Sequence, residues 1–188
     1  MPFGEVKSVP GKFLNNEEKQ KLREQKRKKK LVISTATRWT IGLVVATIIL
    51  LNLFTYVLQI VRYNGSGMEP ALHSGQTLVL LKTQDVKQGD VIAFYYNNQV
   101  LVRRVIAQDM TQITIEQDGN VLVNSSLLDE PYVTQPSMGQ CNLTFPYYLQ
   151  NGYVFVMGDN RPVAMDSRLS EIGPVLKERI IGKVILSI

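Results

Sequence analysis

The longest apolar run in the chain reaches from Trp39 to Ile60 and contains no Asp, Glu, Lys or Arg. A helix needs about 20 such residues to cross the hydrocarbon core of a bilayer, so a transmembrane helix is expected over residues 39–61. A cleavable leader would have a shorter apolar region, roughly 7–15 residues, with small residues at its end; an anchor fits better. Before this run, Glu17 to Leu31 has a helix-favouring composition. Met1 to Asn16, with Pro2, Gly4 and Pro10, has no apolar period and is expected to be disordered.

Beyond residue 62 the apolar runs are short and bounded by turn residues, the pattern of strands. Thr77 to Leu81 (TLVLL) suits a buried strand. Val91 to Tyr96 and Gln99 to Ile106 flank Asn97-Asn98, a hairpin turn because Asn tolerates positive φ. Ile113 to Gln117 and Asn120 to Val123 flank Asp118-Gly119, a second hairpin. Leu127 to Cys141, with Pro131, Pro136 and Gly139, reads as an irregular connection, and Tyr153 to Met157 and Ile180 to Ser187 complete the strands. The expected organisation is a basic tail (1–38), the membrane helix (39–61) and a mostly β domain (62–188) of two small sheets or an open barrel.

Charge sharpens this division. Residues 1–61 carry 11 Lys and Arg against 4 acids, whereas residues 62–188 carry 10 against 12. The net +5 therefore belongs to the tail. Nucleic acid is not an expected partner, because the tail lacks interleaved aromatics and abuts an apolar run. Positive charge before the anchor places the N-terminus in the cytoplasm and the β domain outside. The run Lys26 to Lys30 reads first as this topology signal and second as a site for anionic lipid headgroups. One cysteine, Cys141, excludes an internal disulfide, and one histidine, His73, excludes a histidine metal cluster. No cofactor or metal is expected.

The motifs follow in order: Gly65-Ser66-Gly67-Met68-Glu69-Pro70-Ala71-Leu72, then GDVIAF from Gly89, VRRVIA from Val102, DEPY from Asp129, and GDNRPVAMDSR from Gly158 to Arg168. Together, from about Tyr63 to the C-terminus, they resemble the type I signal peptidases of Gram-positive bacteria. That resemblance implies a signal-peptidase-like β fold and a membrane-bound serine endopeptidase that removes leader peptides from exported proteins. It also implies a serine–lysine dyad, in which burial keeps the lysine neutral so that it can serve as base.

Carried over position by position, the resemblance places the nucleophilic serine at Gly67, the base lysine at Arg103, and a supporting serine at Ala164. Glycine offers no nucleophile, and arginine stays protonated in proteins. The positions that resemble the family's scaffold remain: Met68, Pro70, Leu72, Gly89, Asp90, Arg104, Asp159, Arg161, Asp166 and Arg168. The family's turn after the lysine strand is replaced by Ala107-Gln108-Asp109-Met110. Asp159 and Asp166 are expected to pair with Arg161 and Arg168, with Arg103 joining the network or meeting a carboxylate or the chain end of a bound peptide.

The expectation is a protein without peptidase activity that keeps a peptide-binding groove. Degenerate members of the resembled family stand beside pilin and sortase genes, which implies an exported protein or pilin as partner, a sortase as companion, and a role in pilus assembly. The rival is an active signal peptidase using Ser66, re-aimed by a local bulge, with an atypical base such as His73, Lys82 or Lys87. A third reading is a purely structural membrane anchor.

Overall fold

The computed structural model describes residues 15–188, excluding the side chains of residues 30–33. The disorder expected over Met1 to Asn16 lies almost wholly outside the described residues. One helix, α1 (Asn16–Val57), runs through both the charged segment and most of the apolar run. Its start is capped: the Asn15 N–H donates to the Glu18 carboxylate, and Glu17 and Glu18 stand in the first turn. The helix is long and apolar enough to cross a membrane. The chain divides into two compact units, residues 1–52 and 53–188.

The helix stops earlier than the apolar run. Leu58–Arg62 is a strand, β1, antiparallel to β2 (Thr77–Leu81) with Leu58 opposite Leu81. The last residues of the expected span therefore belong to a sheet. An unbroken apolar stretch carries no sign of the change, because an apolar helix and a buried strand look alike in composition.

The remaining strands are β3 (Val91–Tyr96), β4 (Gln99–Gln108), β5 (Gln112–Ile115), β6 (Val121–Val123), β7 (Ser126–Leu127), β8 (Tyr147–Tyr148), β9 (Tyr153–Met157), β10 (Val175–Leu176) and β11 (Ile180–Ser187). They build a seven-stranded sheet in the order β1-β2-β11-β3-β4-β9-β10 and a four-stranded sheet in the order β7-β6-β5-β8, so the fold is mostly β in two sheets. Asn97 and Asn98 both have positive φ, and Tyr96 pairs with Gln99, which makes a two-residue hairpin between β3 and β4. Asn124-Ser125 does the same between β6 and β7 and was not anticipated. The Asp118-Gly119 turn is wider than expected: the last opposed pair is Ile115 and Val121, which leaves residues 116–120 as the loop.

Three apolar clusters hold the β unit together. Ile92, Phe94, Val105, Val154 and Val156 form one within the large sheet. Ile106, Ile113, Val121, Phe155 and Met157 form a second, drawn from strands of both sheets. Tyr63, Met68, Leu72, Leu78, Leu80, Ala93 and Val102 form the third. This third cluster seats the segment after β1 against β2, β3 and β4, and so places Gly67 beside Arg103.

Candidate functional site: a cleft between residues 63–67 and strand β4

Strand β9 pairs with β4 only from Arg104 onward, where Arg104 lies opposite Met157. The chain then leaves the sheet at Gly158, so the first half of β4 has a strand partner on the β3 side alone. In a two-residue hairpin, Tyr96 and Gln99 form a hydrogen-bonded pair, and the alternation that follows turns the N–H and C=O groups of Val100 and Val102 away from β3. Beside that free edge is a cleft of ≈ 150 Å³. Tyr63, Ser66 and Gly67 line it on one side, Val100, Val102 and Arg103 on another, and Val163 and Met165 close it.

Gly67, Arg103 and Ala164 meet here. A Cβ built on Gly67 would lie 3.1 Å from Arg103 Nη2, 3.2 Å from Cζ and 3.3 Å from Nη1. The guanidinium thus covers the face of Gly67 from which a side chain would project. Arg103 is 6% exposed, and its Nε and Nη1 donate to the carbonyls of Met165 (2.8 Å) and Val102 (2.6 Å). Burial pushes its pKa below the ordinary value, opposed by the charge of Asp166 and the neighbouring Tyr63. The anticipated carboxylate partner is not found: among the described residues Arg103 forms no ion pair. Asp166 is already committed, its oxygens accepting from Gly158 N–H (2.9 Å) and from Nε and Nη2 of Arg168 (both 2.8 Å).

Gly158 ties Gly67 to Ala164. A Cβ there would stand 2.3 Å from the Gly67 carbonyl oxygen and 2.3 Å from the Ala164 Cβ, so only glycine fits. Asn160 completes the clasp: its backbone N–H donates to the Gly67 carbonyl (3.1 Å) and its side-chain amide to the Ser66 carbonyl (3.0 Å). The Met68 N–H donates to the Tyr63 hydroxyl (3.1 Å), and burial raises the pKa of that phenol against the lowering effects of Met68 and Arg103.

The scaffold residues take different roles. Met68 and Leu72 are core, while Pro70 is exposed. Asp90 accepts from the Lys87 N–H and pairs with Lys183. The expected ion pairs are partly rearranged. Asp166 holds Arg168, but Asp159 reaches across to β4 and holds Arg104 through two hydrogen bonds (2.9 and 2.6 Å). Burial works against the charge of Arg104, and Asp159 outweighs it and raises the pKa. The Arg104 guanidinium also lies 4.0 Å from the centre of the Tyr132 ring. Arg161 turns back to the Gly158 carbonyl and pairs with Glu130, in the DEPY segment.

Ser66 is exposed at the rim of the cleft, and its hydroxyl has no hydrogen-bond partner among the described residues. His73 is exposed, and Lys82 donates to the carbonyl of Thr55. Sequence reasoning did not single out Tyr63, Met165 or Asn160. Asn160 lies within the GDNR motif and could have been found there; Tyr63 and Met165, the latter acting through its carbonyl, left no signal.

The mostly β fold behind one apolar helix is the one that the resemblance to signal peptidases implied. Residues 36–188 match the family described as "Signal peptidase, peptidase S26", and the chain belongs to it. It is similar to signal peptidase I T of Bacillus subtilis (strain 168), 28% identical over 179 residues, covering 88% of this chain and 91% of that protein. It is also similar to signal peptidase IB of Staphylococcus aureus (strain COL), 28% identical over 170 residues, covering 78% and 85% of the two chains. A crystal structure of a signal peptidase I from Enterococcus faecalis V583 aligns over 53% of this chain and 96% of that one, with 25% identity and a TM-score of 0.45.

Proposed function

We propose that this protein is a membrane-anchored member of the signal peptidase family that holds an exported peptide or pilin without cutting it and assists assembly of surface pili. The observation that carries the reading is the Arg103 guanidinium lying over Gly67. A peptidase needs a hydroxyl and a neutral base at this place, whereas here a backbone CH₂ faces a permanent cation. The clasp around it, made by Asn160, Gly158 and Asp166, is complete and supports a retained binding role.

The free edge of β4 supplies the binding mode. An extended segment could add as a strand, using the Val102 N–H and both backbone groups of Val100 while its side chains enter the cleft. Following the charge asymmetry of the sequence, the N-terminus is cytoplasmic and the β domain lies outside the cell membrane, where exported pilins and a sortase would meet it. The rival, cleavage by Ser66, is favoured only by the position of that residue on the cleft rim.

Co-purification of the full chain with a leader-bearing pilin tests the binding role. Wild type should retain the pilin, and Gly67→Leu, which displaces Arg103 and fills the cleft, should lose it. Equal recovery with the two proteins would count against the groove.

A further inference from the structure

We propose that Arg103 is a carboxylate-binding residue, whose guanidinium receives the carboxylate of an extended peptide lying along the free edge of β4. This rests on the peptide-holding reading above and gives it a ligand chemistry. Four arginines crowd this part of the β unit, and three of them already have an acid: Arg104 has Asp159, Arg161 has Glu130 and Arg168 has Asp166. Arg103 alone among them pairs with none, although it is more than nine-tenths buried. Its Nε and Nη1 donate to neutral backbone carbonyls, and its further side-chain interaction, with the Tyr63 phenol, also brings no acid. Nη2 is left over Gly67, beside the Tyr63 phenol.

A buried cation whose nearest acid, Asp166, is bonded to Arg168 is poorly compensated, and a carboxylate arriving at the guanidinium would relieve it with a short, charge-assisted bond. The surroundings suit such a ligand. The cleft of ≈ 150 Å³ holds a carboxylate and a small side chain, since a single water takes about 30 Å³. Its walls at Val100, Val163 and Met165 are apolar, and no acidic side chain lines it to repel an anion. The free backbone edge at Val100 and Val102 leads to Arg103 in the next position, so a strand paired there brings its end or an acidic side chain to the guanidinium.

The carboxylate could be a peptide C-terminus or an Asp or Glu side chain, and calorimetry on the full chain in detergent micelles separates the two. Three probes share one short alanine–valine sequence: the free acid, the C-terminal amide, and the amide with one internal aspartate. Wild type should bind the free acid at least about tenfold more tightly than the plain amide. Arg103→Met should abolish that preference, and Arg103→Lys should keep part of it. If the aspartate amide matches the free acid, the site reads a side chain; if it matches the plain amide, the site reads a chain end. Equal binding of all three probes, or a preference that survives Arg103→Met, overturns the carboxylate assignment and leaves the groove. Binding of none overturns both. Should Arg103→Met not fold, the acid-to-amide ratio of wild type decides alone.

Discussion

Gly67 and Arg103 should behave as one energetic unit, which a double-mutant cycle with Gly67→Ala and Arg103→Ala can measure. The φ of Gly67 lies outside the left-handed region, so alanine there is not strained by its backbone. With space available, Gly→Ala would stabilise by about 0.4–1 kcal/mol by restricting the unfolded chain. Space is not available, because the new methyl would meet three guanidinium atoms at 3.1–3.3 Å. Overpacking of this kind costs about 1–3 kcal/mol. Arg103 can relieve it by moving a few tenths of an ångström, which strains its hydrogen bonds to two carbonyls, each worth about 1 kcal/mol. Gly67→Ala in wild type should therefore destabilise by about 1 kcal/mol, whereas in Arg103→Ala it should stabilise by about 0.5 kcal/mol. The difference, about 1.5 kcal/mol, is in the range found for residues in contact and above the ~0.5 kcal/mol within which independent sites add. Thermal denaturation followed by circular dichroism would read it at roughly 4 °C per kcal/mol. The same effect of Gly67→Ala in both backgrounds, within about 0.5 kcal/mol, would refute the contact.

Asp166→Asn should destabilise by about 3–5 kcal/mol, because it leaves the fully buried Arg168 without its acid; denaturation midpoints check this. Tyr63→Phe should cost about 1–3 kcal/mol by orphaning the buried Met68 N–H. The same tyrosine has a sign-definite pH effect. Its folded pKa is raised, so its contribution is full below the ordinary tyrosine value of about 10 and is lost as pH rises through the folded value. Stability measured against alkaline pH should fall more steeply for wild type than for Tyr63→Phe. Gly158→Ala should be among the most damaging single changes in the site, since its methyl would meet the Gly67 carbonyl and Ala164 at 2.3 Å. A variant as stable as wild type would show that the clasp is loose.

Much of the β domain was readable from local pattern. Thr77–Leu81, Val91–Tyr96, Tyr153–Met157 and Ile180–Ser187 are strands over the expected residues, because each is a branched or aromatic run ended by turn residues. The two-residue strands β7, β8 and β10 are too short to carry a period. β1 was hidden inside the apolar run, where composition cannot mark the change from helix to strand. In the site, family resemblance pointed to the positions Gly67, Arg103 and Ala164; the packing of Arg103 on Gly67, and of Gly158 between Gly67 and Ala164, came from the structure. Of the acids that pair with the arginines, Asp166 on Arg168 was anticipated, and those on Arg104 and Arg161 were not. Which carboxylate meets which guanidinium depends on how loops cross, as when Glu130 takes Arg161 and frees Asp159 for Arg104. That Arg103 rests on two carbonyls is a property of backbone geometry, which residue identities do not encode.

The groove should bind a peptide without cutting it. This is tested most directly by one sample of the full chain in micelles with a fluorescent leader peptide, read for anisotropy and peptide mass together. Across the range from about pH 5 to pH 10, in which a neutral lysine or histidine base would operate, the anisotropy should rise while the peptide mass stays unchanged. Cleavage fragments that appear with wild type and vanish with Ser66→Ala would contradict the account.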